Sequence, residues 1–300
     1  MKFKQSPLGF KNVRGPLVQS VQAQLNAKGF NAGTADDVWG NNTITALRAW
    51  QSANGINPSG EIDDQTWTQL MGRVVPEMSQ RALQLTGDWE GTGYGGANGN
   101  FDGQGITWGV VGFTWRNGEL QDILKEIQAQ YPAIFAQAFG ALTGHMQDIL
   151  VQPRAAQMDF ARSISRNNGN AIEQSWSAAF KALGDVPEVQ AIEDRHAQHY
   201  WDSGAHFAVL FGLQTEMGQS LCFDIAVQNT VTDAMIAEIQ NKIGAHSMTE
   251  PEMIQIIAHV VADHANPTYY SDVLKRKMTF ATGQGKVHGD FYDIGCWGIG

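Results

Sequence analysis

The 300 residues, 43% of them hydrophobic, suffice for one large or two unequal domains with a sizeable core. The formal net charge of −10 is unevenly spread: residues 1–76 carry seven Lys/Arg against five Asp/Glu, and residues 77–300 carry thirteen against twenty-five. That acidic majority argues against a nucleic-acid partner, because phosphate binding needs clustered cations, and the lack of any run of about eighteen apolar residues argues against a membrane span or stable membrane association. Cys222 and Cys296 are too few for a disulfide framework. The basic start MKFKQSPLGFKNVRG lacks the apolar stretch of a secretory signal, so the chain is expected to accumulate in the cytoplasm that makes it.

Residues 16–72 read as a compact three-helix module with a degenerate internal repeat. PLVQSVQAQLNAKGF puts Leu17, Val21 and Leu25 at helical spacing, with Gly29 as a stop. After the turn NAGTADDVWGNN, the segment TITALRAWQSANG aligns Ile44, Leu47 and Trp50 on one face and ends at Gly55. SGEIDDQTWTQL then repeats the order of Gly, acidic residues, an apolar residue, Thr and a helix. Leu17, Leu25, Leu47 and Trp50 are expected in the core. The helix 18–25, Gly29-Phe30, the turn 36–40 with Trp39, the helix 43–51, Gly55-Ile56 and the segment 60–70 with Thr66-Trp67 resemble the peptidoglycan-binding domain of cell-wall hydrolases. Asp37 stands where that family commonly has Gly. The resemblance implies peptidoglycan as partner and a wall-binding domain over residues 1–72. Wall contacts are sought near its turns, at Asp36, Trp39 and Asn41, with burial in the core the equal alternative for Trp39.

Residues 73–78 form a short linker, and Pro76 suits the first turn of the helix that SQRALQLTGDWE continues to Glu90. Next comes GTGYGGANGNFDGQGITWGVVGFTW: a Gly-rich turn carrying Asp102, then a strand pattern through Thr107. Glycosidic cleavage needs one carboxylic acid to protonate the leaving oxygen and one carboxylate to activate water or stabilise the oxocarbenium-like transition state. Glu90 follows Trp89 and an apolar helix, which suits it to the acid role, whereas Asp102 lies among Asn98, Asn100 and Gln104, which suits it to the ionised role. Thr107 is placed to hold the water or orient a carboxylate. The same tract mimics the first half of a calcium loop, but Gly109 occupies the position of the bidentate Glu, so no EF-hand is expected.

A helix-terminal Glu followed by a small hairpin with a second carboxylate resembles the lysozyme-like superfamily. The tract DGQGITWGVVGF is similar to the DGRGYT-type segment of its chitosanase branch, in which the Asp is the second catalytic carboxylate. The gap from Glu90 to Asp102 is shorter than in typical chitosanases and nearer to that of phage-type lysozymes. The resemblance implies a lysozyme-like catalytic domain over residues 79–300.

The rest reads as almost wholly helical, with segments near 118–130, 131–143, 153–166, 170–183, 187–202, 204–216, 218–229, 232–245, 249–265 and 269–280, punctuated by Gly, Pro and Asn. One hairpin in a helical bulk makes an α+β domain, mostly α. QAIEDRHAQHYW resembles a chitosanase-branch helix whose Arg orders the catalytic Asp region, which makes Arg195 a candidate supporting cation. GQSLCFDIAVQN resembles a cleft-lining helix, which brings Asp224, Gln228 and Asn229 forward; a surface ion pair or a helix cap is the plainer reading of these residues. The Gly-rich tail around Gln284 and His288 reads as a loop at the cleft. His196 and His199 share a helix face near Glu193, but neither HExxH nor HxH accompanies them, and GxSxG is absent. No metal and no cofactor is expected.

A binding module ahead of a lysozyme-like domain resembles a modular phage endolysin: a monomeric N-acetylmuramidase reaching the wall through a holin-type release. A lytic transglycosylase, which needs only the Glu, and a chitosanase remain alternatives on the same fold. A non-catalytic wall-binding phage structural protein is the alternative of another class.

Overall fold

The computed structural model describes residues 16–36, 38–91, 93–244 and 247–300. The basic start, Asp37 and the predicted helix end at residue 245 lie outside them, as does the side chain of Leu17. In chain order the first elements are α1 (Pro16–Ala27), α2 (Asn41–Ala53), α3 (Asp64–Met71) and α4 (Met78–Glu90). A three-stranded antiparallel sheet follows, β1 (Ala97–Asn98), β2 (Thr107–Trp108) and β3 (Phe113–Thr114). Then come α5 (Glu119–Gln130), α6 (Pro132–Phe139), α7 (Thr143–Leu150), α8 (Arg154–Ile164), the hairpin β4 (Ser165–Arg166) and β5 (Ala171–Ile172), α9 (Gln174–Gly184) and α10 (Pro187–Phe211). The chain closes with α11 (Glu216–Gln228), α12 (Asp233–Gly244), α13 (Glu250–His264), α14 (Tyr270–Thr282), the hairpin β6 (Gln284–Val287) and β7 (Asp290–Asp293), and a short 3-10 turn, Ile294–Trp297. The chain is mostly α with small β elements, as its periodicity predicts. Contacts group residues up to Leu85 with Tyr200–Gly300 in one compact unit, and Thr86–His199 in another. The block 79–300 read from the sequence is therefore shared between the two.

Within the first unit, the three N-terminal helices bury Val18, Val21, Leu25, Leu47, Trp50, Trp67 and Leu70. Two buried glutamines give the internal repeat its physical meaning. The Gln22 amide donates to Val38 O, Asp36 Oδ1 and Thr43 Oγ1, each at 3.0 Å. Gln51 does the same one repeat later: its amide donates to Glu61 O at 2.9 Å and Thr66 Oγ1 at 3.3 Å, and its carbonyl accepts Gly60 N–H at 2.9 Å. Each helix thus ties down the turn after it and the first-turn Thr of the next helix, satisfying backbone groups that burial would otherwise penalise. Asp63 caps α3 by accepting Thr66 N–H at 2.7 Å, and Gly72, at φ 65°, ends it in the left-handed region. The linker is fastened to this module, since Trp67 Nε1 donates to Val74 O at 3.0 Å.

Elsewhere in this unit α13 packs on α14 and α12, and α14 carries β6. Two departures from the periodicity reading arise here. The segments 187–202 and 204–216 are one helix, α10, running through Gly204. Gly204 is not a break: a Cβ there would lie 2.7 Å from Phe223 N and Cα, so the glycine lets α10 approach the α11 backbone. Gly204→Ala is expected to cost about 1–3 kcal/mol, the scale of overpacking a filled interface; an unchanged thermal midpoint would mean the helices separate freely. The tail around Gln284 and His288 is the β6–β7 hairpin rather than a loop, turned by His288 at φ 52° and Gly289 at φ 101°.

The second unit is centred on aromatic side chains. Trp108, Trp115, Phe135, Phe139, Phe160, Trp176 and Phe180 are buried, several meeting edge to face. Here the periodicity reading misses α7 and the β4–β5 hairpin, whose turn residues Asn167 and Asn168 take positive φ, as short polar side chains can.

Candidate active site

Glu90 is the last residue of α4, half-buried beside the buried Trp89, and Gly91 at φ 75° ends the helix there. The link from β1 to β2 carries Asp102 and is held along its length. Asn100 N–H donates to Ser165 Oγ at 2.9 Å, Asn100 Oδ1 accepts Gly105 N–H at 2.8 Å, and Arg116 donates to Gly103 O at 3.2 Å. Asp102 is exposed, and its Oδ1 accepts Gln104 N–H at 2.9 Å in an Asx turn that fixes the carboxyl's direction. Thr107 opens β2, half-buried and in register with Asn98 and Thr114. Phe101, next to Asp102, is 49% exposed, although its backbone is pinned: a Cβ on Gly169 would lie 2.3 Å from Phe101 N.

The β2–β3 turn joins this region to two helices. Gly87, one turn before Glu90, lies so close to Val110 that a Cβ would be 2.7 Å from Val110 Cγ2 and 2.9 Å from its carbonyl oxygen. On the other side Val110 N–H donates to Glu193 Oε2 at 2.8 Å. Glu193 is fully buried on α10, and burial pushes its carboxyl well above the usual carboxylate range against the opposing pull of the Val110 N–H. Burial likewise raises Asp194, whose Oδ1 accepts the Tyr94 hydroxyl at 2.8 Å, and burial and Asp194 together raise that phenol. The sequence reading did not single out Glu193, yet it stands between Val189 and Ala197, both buried, at i±4: a carboxyl on an apolar stripe.

Other candidates fall elsewhere. Arg195 is more than half exposed and pairs with Glu126, so it forms a surface ion pair rather than supporting Asp102. His196 meets Glu126 at 2.7 Å and His199 meets Glu119 at 3.5 Å, so the two histidines do not turn towards Glu193. Burial pushes the Glu126 carboxyl up, but His196 and Arg195 together hold it below its usual range.

Asp224 lies in the first unit and is fully buried, so the expectation that it lines a cleft is corrected. It bonds Arg276 at 2.6, 2.9 and 3.0 Å and Lys277 at 2.5 Å. Burial pushes this carboxyl up, but the two cations outweigh it and hold it below the usual range. Gln228 accepts from the same Lys277 at 2.6 Å, and Asn229 is the C-cap of α11 in extended conformation. These residues form an internal brace between α11 and α14.

Comparison with known proteins bears first on the N-terminal module. Residues 14–70 match the family model of the putative peptidoglycan binding domain. Within this peptidoglycan-binding domain, Asp36 and Asn41 are exposed, at the turn and at the first residue of α2. Trp39 is only 4% exposed, so it is a core residue and not a sugar platform. Asp36 also has a structural task, accepting from Gln22 and from Val38 N–H at 3.1 Å. Among solved structures, the GH46 chitosanase of Gynuella sunshinyii in complex with chitotetraose is similar at 16% identity and a TM-score of 0.49, over 73% of this chain and 98% of that chain. The native chitosanase from Bacillus subtilis is similar at 18% identity and a TM-score of 0.48, over 72% of this chain and 95% of that chain.

Proposed function

We propose that this protein is a modular peptidoglycan hydrolase that cuts the glycan strand as an N-acetylmuramidase, in the manner of a phage endolysin. The observation that carries this reading is the presence in one chain of a peptidoglycan-binding domain and a second unit with two carboxyls in unlike settings. Glu90 is half-buried at a helix end and Asp102 is exposed in a pinned turn. Unlike settings are what an acid and an ionised partner require. Glu90 donates the proton to the leaving oxygen, Asp102 activates water or stabilises the oxocarbenium-like centre, and Thr107 orients the water. The binding domain keeps the catalytic unit on an insoluble polymer and raises its effective substrate concentration. In the endolysin reading the enzyme reaches the wall after holin-type release and works as a monomer.

Phe101 supports a glycan rather than a peptide substrate: an exposed aromatic face on a pinned backbone beside Asp102 suits stacking on a pyranose ring. Phe101→Ala is expected to raise KM for soluble glycan fragments roughly 3- to 10-fold with little change in kcat or thermal midpoint. An unaltered KM would remove Phe101 from the substrate path.

The function itself is tested by incubating the full chain with purified peptidoglycan and following new reducing ends. Their appearance supports glycan hydrolysis. New free amino groups without reducing ends would instead point to peptide or amide cleavage, and wall binding with neither would point to a structural wall-binding protein. Parallel incubation with chitosan separates the chitosanase alternative, which the acidic balance of residues 77–300 would suit on a cationic polymer.

A further inference from the structure

A fully buried carboxyl with no cation beside it among the described residues needs a reason. Glu193 Oε2 accepts the Val110 N–H, while its Oε1 is buried with no hydrogen-bond partner among the described residues. The charge that faces Glu193 is that of Asp194 on the same helix, and the further titratable neighbour is the Tyr94 hydroxyl. Arg195, the adjacent cation in sequence, is engaged with Glu126. Gly109 is shaped to this carboxyl: a Cβ there would lie 2.5 Å from Glu193 Oε2. The turn clasped in this way also presses on Gly87 of α4 and leads back along β2 to Thr107.

We propose that Glu193 is a positioning residue: by clasping the Gly109-Val110 turn from α10 it fixes the strand that bears Thr107 beside the end of α4 that bears Glu90. This rests on the proposed glycan cleavage for its kinetic consequence but not for the clasp itself. A clasp of this kind works with an uncharged carboxyl, because an ionised one would be an unpaired buried charge. The sign follows. A carboxyl raised in the folded state contributes stability that is fully present below its unfolded value and is lost as pH rises through the folded value. Rising pH therefore lowers the stability of the fold around this carboxyl in the wild type and not when residue 193 carries an amide.

The test compares wild type, Glu193→Gln and Glu193→Leu as full chains. Glutamine keeps the acceptor without the charge, and leucine removes the acceptor and leaves the Val110 N–H unpaired. Hydrogen exchange at the Val110 amide reads the clasp without any substrate. Protection is expected in wild type and Glu193→Gln, with at least a roughly tenfold loss in Glu193→Leu. In kinetics, Glu193→Gln is expected to rescue kcat to near wild type and to flatten the fall of thermal midpoint with rising pH. Glu193→Leu is expected to lower kcat roughly tenfold or more with KM little changed. An unprotected Val110 amide in wild type, or wild-type kcat in Glu193→Leu, overturns the proposal. So does a Glu193→Gln protein that folds normally yet is as slow as Glu193→Leu, since the charge itself would then be needed. A wild type that cleaves no glycan but shows the expected exchange pattern refutes the proposed function and leaves the clasp standing.

Discussion

Glu90→Gln is expected to abolish the release of reducing ends from peptidoglycan that the proposed function requires, while leaving wall binding intact. The substitution preserves shape at the half-buried end of α4 and removes the carboxyl group to which the proposed mechanism gives the acid role. A positioned general acid contributes on the order of 10²–10⁴ in rate, so the loss is expected to be at least about a hundredfold. Binding is spared because the family match to the wall-binding domain lies within residues 14–70. Asp102→Asn belongs with it. The Asx turn to Gln104 N–H survives, because an amide oxygen accepts as a carboxylate does, so the loop keeps its shape while most activity is lost. The pair is checked by initial rates and a pull-down on the same wall preparation. Full lysis by Glu90→Gln would remove the acid assignment, and full lysis by Asp102→Asn alone would turn the reading towards a lytic transglycosylase.

Asp224→Asn is the variant with the largest expected effect on stability. In the wild type one carboxylate serves Arg276 and Lys277, which are 1% and 0% exposed at their side chains. The asparagine takes the negative charge away from two buried cations, and breaking a buried pair from one side costs about 3–5 kcal/mol. Its pH behaviour is opposite in sign to that of Glu193. The Asp224 carboxyl is held low in the folded state, so its contribution is present above the unfolded value and is lost as pH falls through the folded one. Thermal midpoints from neutral to acidic pH should fall steeply in wild type and less so in the variant. A variant as stable as wild type at neutral pH would mean that this cluster is not the brace between α11 and α14.

These residues also show what the sequence discloses and what it withholds. Local periodicity was enough for α1, α2 and α3, because each carries its apolar face and its stop within a dozen residues. The same local signal misled at Gly204, where the glycine answers to the α11 backbone, and it could not decide Trp39, an aromatic in a turn that is drawn into the module core. Asp224 sits in the apolar run SLCFDIAV, but its cations follow 52 and 53 residues later, beyond any local pattern. Glu193 carries a sequence signal that was not used, a carboxyl on an apolar stripe, whereas its partner, a backbone N–H on a distant turn, leaves no mark in the side-chain sequence. The candidates Glu90, Asp102 and Thr107 come from their motif alone, and the structure adds the pinned turn, the exposed Phe101 and the Gly87–Val110–Glu193 stack.

The most direct test of the account is mass spectrometry of the fragments that the full chain releases from purified peptidoglycan. Saccharides ending in reducing N-acetylmuramic acid are expected from wild type and are expected to be absent with Glu90→Gln. Fragments ending in anhydro-N-acetylmuramic acid, or no glycan fragments despite wall binding, would contradict it.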